Sequence, residues 1–236
     1  MEYKITRDTI KMESVNYKML DANIGYVRIT EFTEKTSDDL EKALKELEKQ
    51  KIQSLVLDLR NNPGGLLGQA VEVSKKFIGE KKVIVSIEGR DKATGTKFYV
   101  DEVTSHPAFP LVVLVNEGSA SASEIVSGAI QDQKRGVLLG TKTFGKGSVQ
   151  TIIPLADGSG LRLTTAKYYT PSGRSIHEIG ITPDIVVEIP KEAKEQMMKL
   201  LEDIPLKEEE KGIKDIQLER AVDILKSNRI FVPQQG

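Results

Sequence analysis

A chain of 236 residues, 29% of them charged, with a net charge of −1 and no cysteine, is long enough to bury a sizeable core as one large domain with appendages. Neither sign of charge dominates either half, which argues against nucleic acid as a partner, and no apolar run approaches the ~20 residues of a membrane-spanning helix. The first residues lack the apolar core of a signal peptide, and the lack of cysteine leaves the redox compartment open.

In chain order, MEYKITRDTIKMESVNYKML alternates with the β period and predicts paired short strands. IGYVRITEF, at 24–32, is a further strand. TSDDLEKALKELEKQ then predicts a helix, with Thr36 or Ser37 as cap, Asp38 and Asp39 in the first turn, and Leu40, Ala43, Leu44 and Leu47 on one apolar stripe. SLVLDLR reads as a buried strand that RNNPGG ends in a turn. LLGQAVEVSKKFIG predicts a second helix with Leu67, Ala70, Val71 and Phe77 inward. KKVIVSIEGRDKATGTKFYVDEV reads as two strands around a turn, either a flap near a cleft or a surface hairpin. Successive strand–helix units argue for an α/β fold: a mixed sheet flanked by helices, with ligand sites at the C-terminal ends of the strands.

FPLVVLV, at 109–115, is continuously apolar and β-branched, as a strand covered on both faces requires. The segment NEGSASASEIVSGAIQ then turns into a helix beginning near Ser121. A serine on a sharp strand-to-helix turn exposes its hydroxyl at the sheet edge, where helix N–H groups favour negative charge. Gly118, Ala120 and Ala122 keep its surroundings small. The structural alternative is an N-cap, because Ser121 and Glu124 fit the S-x-x-E capping box.

A nucleophilic serine needs a base, and the chain offers only two histidines. His106, in the loop-like SHPAFP, and His177, after the PSGR turn, read as structural or surface residues. TFGKGSVQ supplies a lysine, Lys146, between Gly145 and Gly147, whose small size suggests close backbone packing. A serine–lysine dyad is the remaining arrangement. A solvated lysine titrates near ~10.4, so a lysine base must be partly desolvated, here by Phe144 and Val149. Gln150, four residues on, shares a strand face with Lys146 and brings an amide within reach of the amine. The alternatives are a solvated hairpin lysine and a surface glutamine. Gly64 and Gly65 end the Asp58 strand, and a neighbouring Val115 strand would bring their turn to Ser121. An oxyanion hole would then combine the Ala122 N–H with an N–H of Gly64 or Gly65.

TIIPLADGSGLRLTTAKYYT forms a hairpin across Asp157-Gly158, and Asp157 and Asp184 are assigned to turns. Beyond Pro190, KEAKEQMMKLLEDI and DIQLERAVDILKS each carry an apolar stripe, the second through Leu218, Ala221, Val222 and Leu225. These tails pack on the core or form a homodimer, with Met197, Met198 and Leu201 as candidate contacts. No cluster of ligand-type residues calls for a metal or organic cofactor.

GSASASEI followed by GKGSVQ, with LVLDLRNNPGG at 55–65 before them, closely resembles the C-terminal processing peptidases, the tail-specific serine proteases of bacteria and chloroplasts. The resemblance covers residues 20–190. It implies a crotonase/ClpP-like protease core with Ser121 as nucleophile, Lys146 as general base and Gln150 positioning the lysine. It also implies extracytoplasmic polypeptide substrates recognised at apolar C-termini. On this reading residues 1–22 are a strand segment at the boundary of an absent PDZ region, 23–190 the protease core and 191–236 a helical extension. Two rival readings stand beside it, a catalytically silent peptide-binding scaffold and a crotonase-like acyl-transfer enzyme.

Overall fold

A computed structural model describes residues 13–20, 23–90, 95–101, 106–190, 193 and 214–231. Its main sheet has six strands in the order β1 (Val15–Leu20), β2 (Ile24–Ile29), β3 (Ser54–Asp58), β6 (Leu111–Val115), β7 (Val137–Gly140) and β10 (Ile185–Val186). The pairing is parallel except for β1 against β2. A second, antiparallel sheet has the order β5 (Thr96–Tyr99), β4 (Val83–Gly89), β9 (Gly160–Tyr169) and β8 (Ser148–Pro154). The expected mixed sheet flanked by helices is therefore the architecture found.

Because the chain steps in one direction from β2 through β3 and β6 to β7, right-handed crossovers put every crossover helix on the same face. Strand alternation shows the result. Leu55, Leu57, Leu111, Val113 and Val115 join one core with α1 (Thr36–Lys49), α2 (Leu67–Lys75) and α3 (Ala122–Asp132). Their neighbours Val56, Val112, Leu114 and Leu139 face the other way. That second apolar face needs a cover of its own, and α4 (Ile216–Phe231) supplies it with buried Ala221 and Leu225 and partly buried Leu218 and Val222. The stripe read in this helix is thus used within the chain. The stripe of KEAKEQMMKLLEDI, with Met197, Met198 and Leu201, lies outside the described residues.

The predicted stripes of α1 and α2 are buried at Leu40, Ala43, Leu44, Leu47, Ala70 and Val71, whereas Leu67 is half-buried and Phe77, though buried, lies beyond the end of α2 at Lys75. The start of α1 differs from its prediction. Neither Thr36 nor Ser37 caps it: Thr36 Oγ1 donates to the Glu31 carbonyl and accepts from the Thr33 N–H, while the Ser37 N–H donates to Gln69 Oε1 of α2. A side chain from the neighbouring helix meets the orphan donor instead.

Beneath the end of β3 lies a polar cluster. Arg60 and Asp58 are fully buried, and Arg60 pairs with Asp58 and with Asp215 at 2.7 Å, while its Nη1 donates to Gln217 Oε1. The Tyr26 hydroxyl donates to Asp58 Oδ2 at 2.8 Å. Asp215 Oδ1 in turn accepts the Leu218 N–H in the first turn of α4. Burial would push the Asp58 carboxyl up, but the charge and hydrogen bonds of Arg60 outweigh it and hold the group below its ordinary value. Burial, together with the Asp58 charge, pushes the Tyr26 hydroxyl well up, so it stays a neutral donor.

Arg60→Met would leave two carboxylates without their cation, and urea unfolding at neutral pH should report a loss of about 3–5 kcal/mol. Because the folded-state value of Asp58 is depressed, its share of stability is complete above the unfolded value of ~3.9 and disappears as pH falls through the folded one. The gap between parent and variant should therefore narrow in acid; a gap that stays constant below that pH would remove Asp58 from the account.

Candidate functional site

β3 and β6 are parallel neighbours with Asp58 opposite Leu114, so both strands finish at the same edge of the sheet and deliver their turns side by side. The turns are fastened by polar contacts. The Asn61 N–H donates to Asn116 Oδ1 at 2.8 Å, and Asn116 Nδ2 donates to Asn61 Oδ1 at 2.7 Å. Ser119 Oγ donates to the Leu59 carbonyl at 2.8 Å. The Ala120 N–H and Ser123 Oγ both donate to the Asn62 carbonyl at 3.0 Å. A Cβ on Gly118 would lie 2.7 Å from Asn61 Oδ1, so only glycine lets the two turns approach this closely.

Ser121 sits at the N-cap of α3 with φ 53° and ψ −111°, a region that costs a non-glycine residue on the order of 1–3 kcal/mol. The surrounding contacts hold it there. Its N–H donates to Glu124 Oε2 at 2.8 Å, the carboxylate half of the predicted capping box. Ala122 opens the helix, so its N–H has no intrahelical acceptor. Gly64 presses directly on this point: a Cβ there would fall 2.7 Å from Ser121 Cβ and 2.9 Å from the Ala122 nitrogen, and its φ is +103°. The Gly64 N–H donates to Asn62 Oδ1 at 2.9 Å, whereas the N–H groups of Gly65 and Ala122 have no acceptor among the described residues. Sequence alone could not separate the two glycines.

The lysine loop reaches the serine through Glu124, whose side chain is fully buried. Glu124 Oε1 accepts from Thr143 Oγ1 at 2.6 Å and the Gly145 N–H at 2.7 Å, and Oε2 accepts the Lys146 N–H at 2.9 Å. The Phe144 N–H donates to the Ser119 carbonyl at 3.0 Å. On its far side the loop rests on residues 176–181. The Gly145 carbonyl accepts the Glu178 N–H, Thr143 Oγ1 accepts the Ile181 N–H, and a Cβ on Gly147 would lie 2.2 Å from the His177 nitrogen.

Two details of the predicted site differ from expectation. The Lys146 side chain is exposed, as is Phe144, so this conformation does not desolvate the amine. The glycines pack the loop backbone inward and leave the lysine side chain outside. Lys146 also lies before β8 rather than within it, and the register shifts between Val149 and Gln150. The i, i+4 strand relation therefore fails, and exposed Gln150 has no hydrogen bond to Lys146 among the described residues. The histidines stand apart from this arrangement. His106 lies between Glu48 and Glu41 of α1 at 2.6 and 3.0 Å, and His177 approaches Glu178 at 3.7 Å. Asp157 accepts from Ser159 in its turn, and Asp184 accepts the Leu138 N–H and Gln131 Nε2, both structural duties.

Among the described residues there is no cluster of His, Cys, Asp or Glu suited to a metal, and no helix is long and apolar enough to cross a membrane. Fold and site together define the class, a mixed-sheet α/β protein that holds a strained serine at the edge of its parallel strands beside a glycine turn and a lysine loop. The sequence matches the profile of peptidase family S41 over residues 23–187, and the chain belongs to that family, which includes the C-terminal-processing serine proteases. It is 52% identical over 194 residues to the carboxy-terminal-processing protease of Bartonella bacilliformis, covering 80% of this chain and 44% of that one. With the chloroplastic carboxyl-terminal-processing peptidase 3 of Arabidopsis thaliana it shares 41% identity over 193 residues, covering 78% and 37%. The solved photosystem II D1 C-terminal processing protease superposes with a TM-score of 0.69 at 38% identity, over 78% of this chain and 50% of that structure. The chain thus spans less than half the length of these two curated relatives.

Gly64 and Gly158 both have positive φ, +103° and +84°, but nothing lies within 4 Å of a Cβ at Gly158. Gly158→Ala should cost only the backbone strain, about 1 kcal/mol, while Gly64→Ala adds a collision with backbone and should cost about 2 kcal/mol or more in urea unfolding. Equal losses would mean that the turn retreats from Ser121 without penalty.

Proposed function

We propose that the chain is the hydrolytic core of a serine endopeptidase that cleaves polypeptides near or from their C-terminus through Ser121 and Lys146. The observation that carries this reading is the strained Ser121, held beside the unengaged Ala122 N–H by the Gly64 turn and linked through Glu124 to the lysine loop. Such strain in a residue at a helix N-terminus is an unusual expense for a mere cap.

In this mechanism the neutral Lys146 amine takes the Ser121 hydroxyl proton as Oγ bonds to the scissile carbonyl carbon. The N–H groups of Ala122 and Gly65 receive the oxyanion, with Gly64 shaping the turn that supports them. Collapse of the tetrahedral species breaks the C–N bond, and the lysinium gives its proton to the leaving amine. Water then attacks the acyl-enzyme with the roles reversed. Lys146 is exposed without substrate, so the desolvation this chemistry needs is assigned to the bound chain, laid over Lys146 and the exposed side chains of Leu66 and Phe144. Gln150 would orient the amine once this cover is in place. Substrates with apolar C-termini and an extracytoplasmic location belong to the same reading; the names of the relatives support its C-terminal processing alone.

Mass spectrometry of an unfolded protein with an apolar C-terminus tests the proposal. Parent chain should release fragments, and Ser121→Ala and Lys146→Ala should each lower the rate by at least about 10³-fold. The parent rate should climb between about pH 6 and 9, as a lysine base requires. Cleavage that survives either substitution, or a flat profile with the fold intact, would overturn the dyad.

A further inference from the structure

Glu124 deepens the reading just given, and rests on it only for its catalytic consequence. One fully buried carboxylate receives four hydrogen bonds from two separated segments: the Ser121 N–H, Thr143 Oγ1, the Gly145 N–H and the Lys146 N–H. All four partners are donors, so the group fits as an acceptor only, the ionised form. A single oxygen, Oε2, takes both the Ser121 and the Lys146 N–H, at 2.8 and 2.9 Å. The two residues of the dyad are therefore separated at the backbone by one atom.

A capping box needs only the first of these bonds. The other three leave α3 and run to residues 143–146, a loop without strand pairing of its own in which Gly145 has φ +93°. That loop gains its remaining fixed points from the Ser119 carbonyl and from residues 176–181. The Lys146 side chain, by contrast, is exposed and its amine has no hydrogen bond or ion pair among the described residues.

We infer that Glu124 is a positioning residue for the dyad, a carboxylate strut that sets the distance between the nucleophile turn and the lysine loop. It touches neither substrate nor reacting atoms; it acts through the backbone amides of Ser121 and Lys146. A geometric error near 1 Å at a reacting pair costs on the order of 10²-fold in rate. An amide in place of the carboxylate turns one acceptor into a donor facing N–H groups, so either the Thr143–Gly145 pair or the Ser121–Lys146 pair must move away.

Glu124→Gln should keep a cooperative unfolding transition and lower kcat for peptide cleavage by about 10²-fold with KM little changed. It should also speed amide hydrogen exchange at Gly145 and Lys146 relative to the parent. Thr143→Val removes one of the four bonds and leaves the charge, and should cost about tenfold, whereas Thr143→Ser keeps the hydroxyl and should restore the parent rate. If Glu124→Gln does not fold, the Thr143 pair and its Gly145 exchange decide the matter. Parental kcat and unchanged exchange at Gly145 and Lys146 in folded Glu124→Gln, or equal rates in Thr143→Val and Thr143→Ser, would overturn the strut. Exchange is read whether or not the parent cleaves anything. An inert parent whose Gly145 and Lys146 amides are released by Glu124→Gln would support the strut and overturn only the hydrolase reading.

Discussion

The parallel pairing of β3 with β6 is the constraint from which the site follows. With Asp58 set against Leu114, two turns from distant parts of the sequence leave the sheet at one level, and the exchange between Asn61 and Asn116 fastens them there. A one-residue slip would put Val56 and Leu57 on the wrong faces and separate the Gly64 turn from Ser121. The site is thus a consequence of register, and its small residues follow from it. Gly118 is small because Asn61 crosses it, and Gly64 because Ser121 and Ala122 lie against it.

Hydrogen-bond capacity at this edge is divided unevenly. Nearly every backbone group around Ser121 has a partner: the Ala120 N–H takes the Asn62 carbonyl, the Gly64 N–H takes the Asn62 side chain and the Ser121 N–H takes Glu124. The N–H groups of Gly65 and Ala122 are left without an acceptor among the described residues. Preorganised donors stabilise charge because they need no reorganisation when the charge appears, which is the use that the proposed mechanism makes of these two.

The layers of this fold were legible because burial on both faces leaves a plain mark. LVVLV is apolar throughout, LVL of the neighbouring strand is apolar between Ser54 and Asp58, and the helices between them carry stripes that match their buried residues. Ser121 and Lys146 could be singled out from residue type and small neighbours. What could not be read depends on which atoms meet across the fold. The choice between Gly64 and Gly65 turns on where the Asn62 side chain points, and the failure of the Lys146–Gln150 strand relation on a bulge one residue wide. Glu124 looked like half of a cap because sequence displays the bond to Ser121 and hides those to the loop around Lys146. Gln69, capping a helix other than its own, was hidden for the same reason.

Arg60 reaches Asp215 across 155 positions of sequence. A chain that emerges from the ribosome from its N-terminus can pair β2, β3, β6 and β7 and bring together the serine turn and the lysine loop while one face of the sheet is still bare. During that interval the guanidinium beneath the Gly64 turn has Asp58 but not its second carboxylate, and Val112, Leu114 and Leu139 face water. Contacts of such long range are the slow ones to form, so the arrival of α4 is the event that finishes the underside of the site. The second carboxylate of Arg60 is therefore supplied only after residue 215 has been made.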